Sequence, residues 1–263
     1  MSQIFDRKLL KQNQARAAAQ FSQHSFLYHE IANRIFENLQ SFSRNFENCL
    51  EIGPRDGYLS SLMAGDKNFI NVQNAEDEEI INFVTQFSND NSAFAPEVIK
   101  QENFDLIVSN LNLHHINLIP QFLLQVKSLL KPRGMFIATF FGEENLPELH
   151  ETVFTTENQL YSGVSPRMIP TIDVKTAAHL LQKAGFDSPL SNLEQVSFSY
   201  CAPLKLLKDL KNMGQGNIMT KRSRRFFTKK FLTKVCENYA QNYSLDDGAV
   251  KATFEIITVV GFK

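Results

Sequence analysis

Leu50-Glu51-Ile52-Gly53-Pro54-Arg55-Asp56-Gly57 carries an apolar strand into a turn bounded by two glycines. The run that follows, YLSSLMA at 58–64, reads as a helix, so the segment predicts strand, tight turn and helix in succession. In open α/β sheets, ligands bind beyond the carboxyl ends of the strands, and the turn after the first strand is such a place. Glycines there let the backbone come close to a bound nucleoside, and a carboxylate about 20 residues on accepts its ribose hydroxyls. Here Gly53 and Gly57 are present, while Arg55 takes the place of a middle glycine. Gln73 and Asn74, not an acid, end the next strand; Glu76, Asp77, Glu78 and Glu79 come late for that role. A tight turn without a ligand and a nucleoside site are both consistent with this motif taken alone.

Outward from the turn, strand and helix signals alternate. FINVQ (69–73), FDLIVSN (104–110), MFIATFF (135–141), EQVSFSY (194–200) and TFEIITVVGF (253–262) read as strands. FDLIVSN is an almost continuous apolar run, as a parallel strand buried on both faces requires. Residues from about 8 to 40, 120–130, 173–184 and 203–243 have helical spacing; KPRG (131–134) reads as a turn, and Gly185 as a helix stop. The alternation predicts a mostly parallel sheet with crossover helices, and the two late strands an antiparallel edge. The expected organisation is an N-terminal helical cap (1–45), a core (46–202), a helical insertion (203–246) and a final core strand (247–263).

Composition bounds the function classes. The chain has 263 residues, 43% of them hydrophobic, which suits one large folded domain and excludes global disorder. A formal net charge of −1 supplies no overall attraction to nucleic acid or anionic membrane. Cys49, Cys201 and Cys236 lie far apart, without metal-ligand spacing, and read as reduced thiols of a cytosolic compartment. No apolar run is long enough to span a bilayer, and the N-terminus lacks the apolar stretch of a secretory signal.

Several runs together resemble a known family. They are Ile4-Phe5-Asp6-Arg7 with Ala15-Arg16-Ala17-Ala18, the Leu50–Gly53 strand exit with Gly57, Phe104–Leu111 continuing to Leu113-His114, and Leu130-Lys131-Pro132-Arg133-Gly134. Ser165-Pro166-Arg167, Ala184-Gly185-Phe186, Met213-Gly214 and Gly261-Phe262-Lys263 continue the match. Over nearly its full length the chain resembles the methyltransferase-like assembly factors of respiratory complex I, and more distantly the malonyl-carrier-protein methyltransferases of biotin synthesis. The resemblance implies a class I methyltransferase (Rossmann-like) fold: a seven-stranded, mostly parallel sheet with an antiparallel last strand, N-terminal helices and a helical insertion between the last two strands. It implies S-adenosylmethionine at the first turn, a complex I subunit as partner and, from the eukaryotic branch, hydroxylation of an arginine in that subunit. The match starts at residue 4, so the expected setting is a bacterial cytoplasm without a presequence.

The same resemblance distributes roles. Glu51, Gly53, Arg55, Gly57, Gln73, Ser109 and Asn110 are the expected cofactor-binding residues, and His114 the expected catalytic proton acceptor, since imidazole exchanges protons near neutral pH. Each has a plainer alternative. Glu51 either orients the ligand's amino group or serves the N-terminus of the following helix. His114 either acts or packs in its loop, and His115 shapes the pocket wall. Arg55 stands where the ligand needs volume, and pairing with its neighbour Asp56 would swing it clear. Gln73 and the stretch SNDNSAFA (88–95), with Asp90 its one acid, depart from the family's ribose and adenine acids. These departures point to weakened or lost binding and keep open a non-catalytic assembly module, as well as methylation of a small carboxylic-acid or carrier-protein substrate. His24, His29, His150 and His179 are scattered, and no metal site is expected. The basic run from Lys221 to Lys230 reads as a solvated helix face or a docking surface for a partner. No tetrad of the kind used by nucleic-acid methyltransferases follows the 104–110 strand.

Overall fold

The computed structural model describes residues 3–77, 80, 102–223 and 228–263. Its elements are α1 (Arg7–Ala18), α2 (Phe26–Gln40), β1 (Phe46–Ile52), α3 (Tyr58–Ala64), β2 (Phe69–Ala75), β3 (Phe104–Ser109) and α4 (Ile119–Leu129). There follow β4 (Leu130–Phe141), α5 (Pro147–Tyr161), α6 (Val174–Lys183), β5 (Asp187–Tyr200), α7 (Pro203–Asn212), α8 (Lys229–Tyr243) and β6 (Val250–Phe262). The strand order is β2-β1-β3-β4-β6-β5. β1, β2, β3 and β4 pair in parallel. β6 runs antiparallel to β4, since Arg133 bonds to Lys263 at one end and Gly142 to Glu255 at the other. Six strands lie among the described residues, against the seven of the expected fold, and 88–95 falls outside those residues.

Three readings are corrected. The helix expected over about 8–40 is two helices, separated by a short 3-10 turn at Phe21–Gln23. The polar residues there compete for the backbone, Ser25 Oγ donating to the Ser22 carbonyl at 3.3 Å. KPRG is not a turn between elements but part of β4, as an irregularity in its pairing: Phe104 faces Leu130, yet Leu106 already faces Met135. Arg133 sits at φ 65, and a Cβ on Gly134 would lie 2.8 Å from the Lys131 carbonyl oxygen and 3.0 Å from that of Phe104. The 203–243 helical reading likewise divides into α7 and α8, the first closed by Gly214 at φ 79; Arg224–Phe227 of the basic run lie outside the described residues.

The chain forms two compact units, one of residues 26–140, 172–193 and 257–263, the other of 1–25, 141–171 and 194–256. The first contains the turn after β1. Its core joins Leu50 and Ile52 of β1, Ile107 of β3 and Phe136 of β4 to Phe122 and Val126 of α4 and Leu181 of α6. Leu106, Ile107 and Val108 are all buried, which is why the run shows no polar alternation. α6 starts where the Asp173 carboxylate accepts from the Lys175 and Thr176 amides and stops at Gly185, φ 81.

The second unit holds charge in its interior. Glu148 accepts from the Thr253 amide and hydroxyl. His24 Nδ1 lies 2.6 Å from Asp209 Oδ1, and Asn212 Nδ2 2.9 Å from His24 Nε2. Glu157, 2% exposed, is paired with Arg167, 10% exposed, at 2.7 Å. Burial alone would raise the Glu157 carboxyl; the bonds from Arg167 and the Ser165 amide outweigh it and hold the group below the usual carboxylate range.

Two stability predictions follow from this packing. Gly134→Ala must push a methyl group against two carbonyl oxygens and destabilises by about 1–3 kcal/mol in urea unfolding, whereas Gly163→Ala, in open space, changes stability by less than about 0.5 kcal/mol. Arg167→Met strands a buried carboxylate and costs about 3–5 kcal/mol at neutral pH. Because the folded-state pKa of Glu157 is depressed, the stability that the pair contributes is present above the ordinary carboxylate range and lost as pH falls through the folded value. The difference between wild type and Arg167→Met therefore narrows on acidification.

Candidate functional site

The turn after β1 is clamped on both sides. The Gly53 amide donates to the Ala75 carbonyl at 2.9 Å, and Ser109 Oγ donates to the Ile52 carbonyl at 3.0 Å. Gly53 has φ 69, and a Cβ there would lie 2.5 Å from Nδ2 of Asn112. Asn112 is 6% exposed, and its Nδ2 has no hydrogen-bond partner among the described residues. Gln73 Oε1, at the end of β2, is buried and likewise unpartnered among them. Asp77, two residues past β2, is buried. Gly57, φ 74, stands at the N-cap of α3, with open space where a Cβ would be.

Glu51 is 3% exposed and serves the first turn of α3, accepting from the Ser60 amide at 3.0 Å and from Ser60 Oγ. Burial pushes its carboxyl up, and Asp56 adds to the rise; the Ser60 bonds oppose it. Ser60 Oγ also lies 2.5 Å from Asn74 Oδ1. One hydroxyl proton cannot serve two acceptors, so Ser60 Oγ donates to Glu51 or to Asn74 and not to both at once. Asn110 Nδ2 donates to the Tyr28 carbonyl, and its Oδ1 accepts from Thr139, which in turn accepts from the Leu111 amide. Ser109 and Asn110 thus hold the strand exit in place. His114 and His115 are buried in the 3-10 turn Leu113–His115, with ring centroids 4.0 Å apart.

A cleft of about 220 Å³ opens beside the turn, lined among others by Tyr28, His29, Glu51, Arg55, Asp56 and Tyr58. Ligand pockets usually enclose about 300–1,000 Å³, so this one is tight. Arg55 lines the cleft, which overturns the expectation that it swings clear. Asp56 instead accepts from His29: Nε2 lies 2.7 Å from Asp56 Oδ2, while Oδ1 accepts from the Tyr58 amide. The His29 ring stacks on Tyr58 at 3.9 Å.

Of the expected site residues, Glu51, Arg55 and Asn110 meet at this cleft, Gly53, Gly57, Ser109 and Gln73 shape the turn, and His114 does not line it. Sequence reasoning missed His29, Tyr58 and Asn112. His29 and Asp56 stand 27 residues apart, and no local spacing joins them. Asn112 carried a signal, an amide side chain just past the exit of the 104–110 strand. Among the described residues, no three His, Cys, Asp or Glu side chains form a group that could hold a metal ion.

Comparison with known proteins agrees with this geometry. A family model described as a methyltransferase domain matches residues 24–188. The human protein named arginine-hydroxylase NDUFAF5, mitochondrial, is 31% identical over 270 residues, 99% of this chain and 77% of that one. The malonyl-[acyl-carrier protein] O-methyltransferase of Halorhodospira halophila is 22% identical over 97% of this chain and 88% of its own length. The crystal structure of the YcgJ protein of Bacillus subtilis superposes with a TM-score of 0.54 at 12% identity, covering 89% of this chain and 98% of that one, a likeness of fold. A family model matching more than half of the chain, and a relative at that identity over nearly all of it, place this protein in the methyltransferase domain family, among the homologues of arginine-hydroxylase NDUFAF5.

Proposed function

We propose that this chain binds S-adenosylmethionine at the Gly53–Gly57 turn and modifies a protein subunit of respiratory complex I during its assembly, in a bacterial cytoplasm. The modification is methylation or, after the relatives named for it, arginine hydroxylation. The observation that supports binding is an unpartnered buried donor beside Gly53, Asn112 Nδ2; a second unpartnered buried atom, the acceptor Gln73 Oε1, belongs to β2, where Gln73 pairs with Leu50 of β1. A buried polar atom without a partner costs about 1–3 kcal/mol, and native proteins rarely keep one without a use. A hydroxyl, carboxylate or ring acceptor of a ligand satisfies Asn112 Nδ2, and the missing Cβ at Gly53 is what lets the Asn112 side chain stand against the turn. The cofactor supplies an electrophilic methyl group when bound. The residues here hold it: Gly53 and Gly57 admit the backbone contact, Asn112 donates, Gln73 accepts in place of the usual acid, and Ser109 and Asn110 keep the strand exit fixed.

Arg55 and the tightness of the cleft favour a second reading, a non-catalytic assembly module that has lost the cofactor. Action on a small carboxylic acid or a carrier protein rests on the more distant relative alone. No helix among the described residues is long and apolar enough to cross a membrane.

Calorimetric titration with S-adenosylmethionine and S-adenosylhomocysteine separates these readings. The cofactor reading expects saturable binding, about tenfold weaker in Asn112→Ala, which loses one hydrogen bond. Arg55→Gly, which opens the cleft, binds more tightly than wild type. Heat-silent titrations at millimolar ligand, unchanged in Arg55→Gly, would leave the assembly module standing.

A further inference from the structure

His29 forms a pair that the cofactor reading does not use. Its Nε2 is bonded to Asp56, and its ring is fixed by the stack on Tyr58, whose hydroxyl donates to Asn33 of the same helix as His29. A carboxylate accepts, so Nε2 is the donor in this pair, and in the neutral imidazole Nδ1 keeps its lone pair. Among the described residues nothing bonds to that Nδ1, and the side chain, 32% exposed, lines the cleft beside the turn. This is how a carboxylate fixes the tautomer of a working imidazole: one nitrogen is tied back, and the other is presented to whatever enters.

We propose that His29 Nδ1 is the hydrogen-bond acceptor that the cleft offers to an N–H donor, an amine or ammonium group, of the molecule bound at the turn. Binding at the turn is thereby coupled to the protonation of His29. The inference rests on the cofactor reading and deepens it. The surrounding charges agree with an ammonium. Asp56 on the turn and Glu51 on β1 place carboxyl groups at the cleft, and Arg55, the one cation of the turn, lines the same cleft. Tyr58 of α3 and Tyr28 of α2 are the other titratable side chains that line the cleft with His29. On α2 itself, Glu30 is engaged by Arg34.

A protonated imidazole has no lone pair to offer, so the coupling has a definite sign: affinity is highest at mildly alkaline pH and falls on acidification. S-adenosylhomocysteine, which carries an α-amino group, is the probe, titrated calorimetrically into the full chain from about pH 8 to about pH 5.5, a window that brackets ordinary imidazole titration. Wild type loses about tenfold in affinity across it. His29→Gln keeps an acceptor that does not titrate, so it binds with a flat pH profile; His29→Leu binds weakly at every pH. A wild-type profile as flat as that of His29→Gln, or full affinity in His29→Leu, overturns the inference.

Burial pushes the Glu51 carboxyl up, and the His29→Gln profile, which retains Glu51, isolates any share it takes. Carbethoxylation by diethylpyrocarbonate, mapped on peptides, supplies an independent readout. His29 is modified faster than the buried His24, His114 and His115. Bound S-adenosylhomocysteine slows it without slowing the exposed His150 and His179. If no S-adenosylhomocysteine binds at any pH, the cofactor reading fails and the inference falls with it; binding that neither depends on pH nor slows His29 modification overturns the inference alone.

Discussion

The chain leaving β1 is held from two directions, by the Gly53 amide on the Ala75 carbonyl and by the Ile52 carbonyl under Ser109 Oγ. These two bonds set β2 and β3 against the turn, and the rest of the site depends on where that turn is fixed. Because the backbone there is left-handed and Asn112 lies where a Cβ would be, only glycine fits at position 53. Any side chain at this place would displace Asn112, and with it a buried donor that has no partner among the described residues. Glu51 then ties the first turn of α3 back to β1 through Ser60, so strand, turn and helix move as one piece.

Most of this fold was legible in the sequence, because burial on both faces leaves an apolar run that polar alternation cannot imitate. Phe104–Ser109 is the clearest case, and α3 was read to its first and last residue. What was not legible depended on contacts far along the chain. Asp187–Leu193 extends β5, but Pro189 and the polar residues beside it show no strand pattern; a strand at the end of the order tolerates both. KPRG looked like a turn because Pro and Gly usually are; the carbonyls packed on Gly134 turn it into a kink within β4 instead. The site divides in the same way. Gly53 and Gly57 announce themselves through spacing, while the His29–Asp56 pair exists only once α2 lies against the turn.

The departures from the family pattern acquire a physical reading. Gln73 in place of an acid keeps an acceptor at the end of β2 while removing a charge, and Asp77, buried just beyond, keeps a carboxyl group in that region. Arg55 adds a cation to a turn whose other ionisable groups are Glu51, Asp56 and His29. The cleft is narrowed, yet its charges alternate in sign, an arrangement matched to a zwitterionic ligand rather than to an apolar one. Glu51 serves the helix through Ser60 and also lines the cleft, and burial raises its pKa.

The central claim is that a ligand sits on Gly53 and bonds to Asn112. Side-chain amide and backbone resonances of the ¹⁵N-labelled protein, recorded while S-adenosylhomocysteine is added, test it most directly. The account predicts that the Asn112 side-chain NH₂ pair and the Gly53 amide shift together with one saturation curve, ahead of residues elsewhere in the chain. Saturation that moves other residues and leaves Asn112 and Gly53 in place would contradict it.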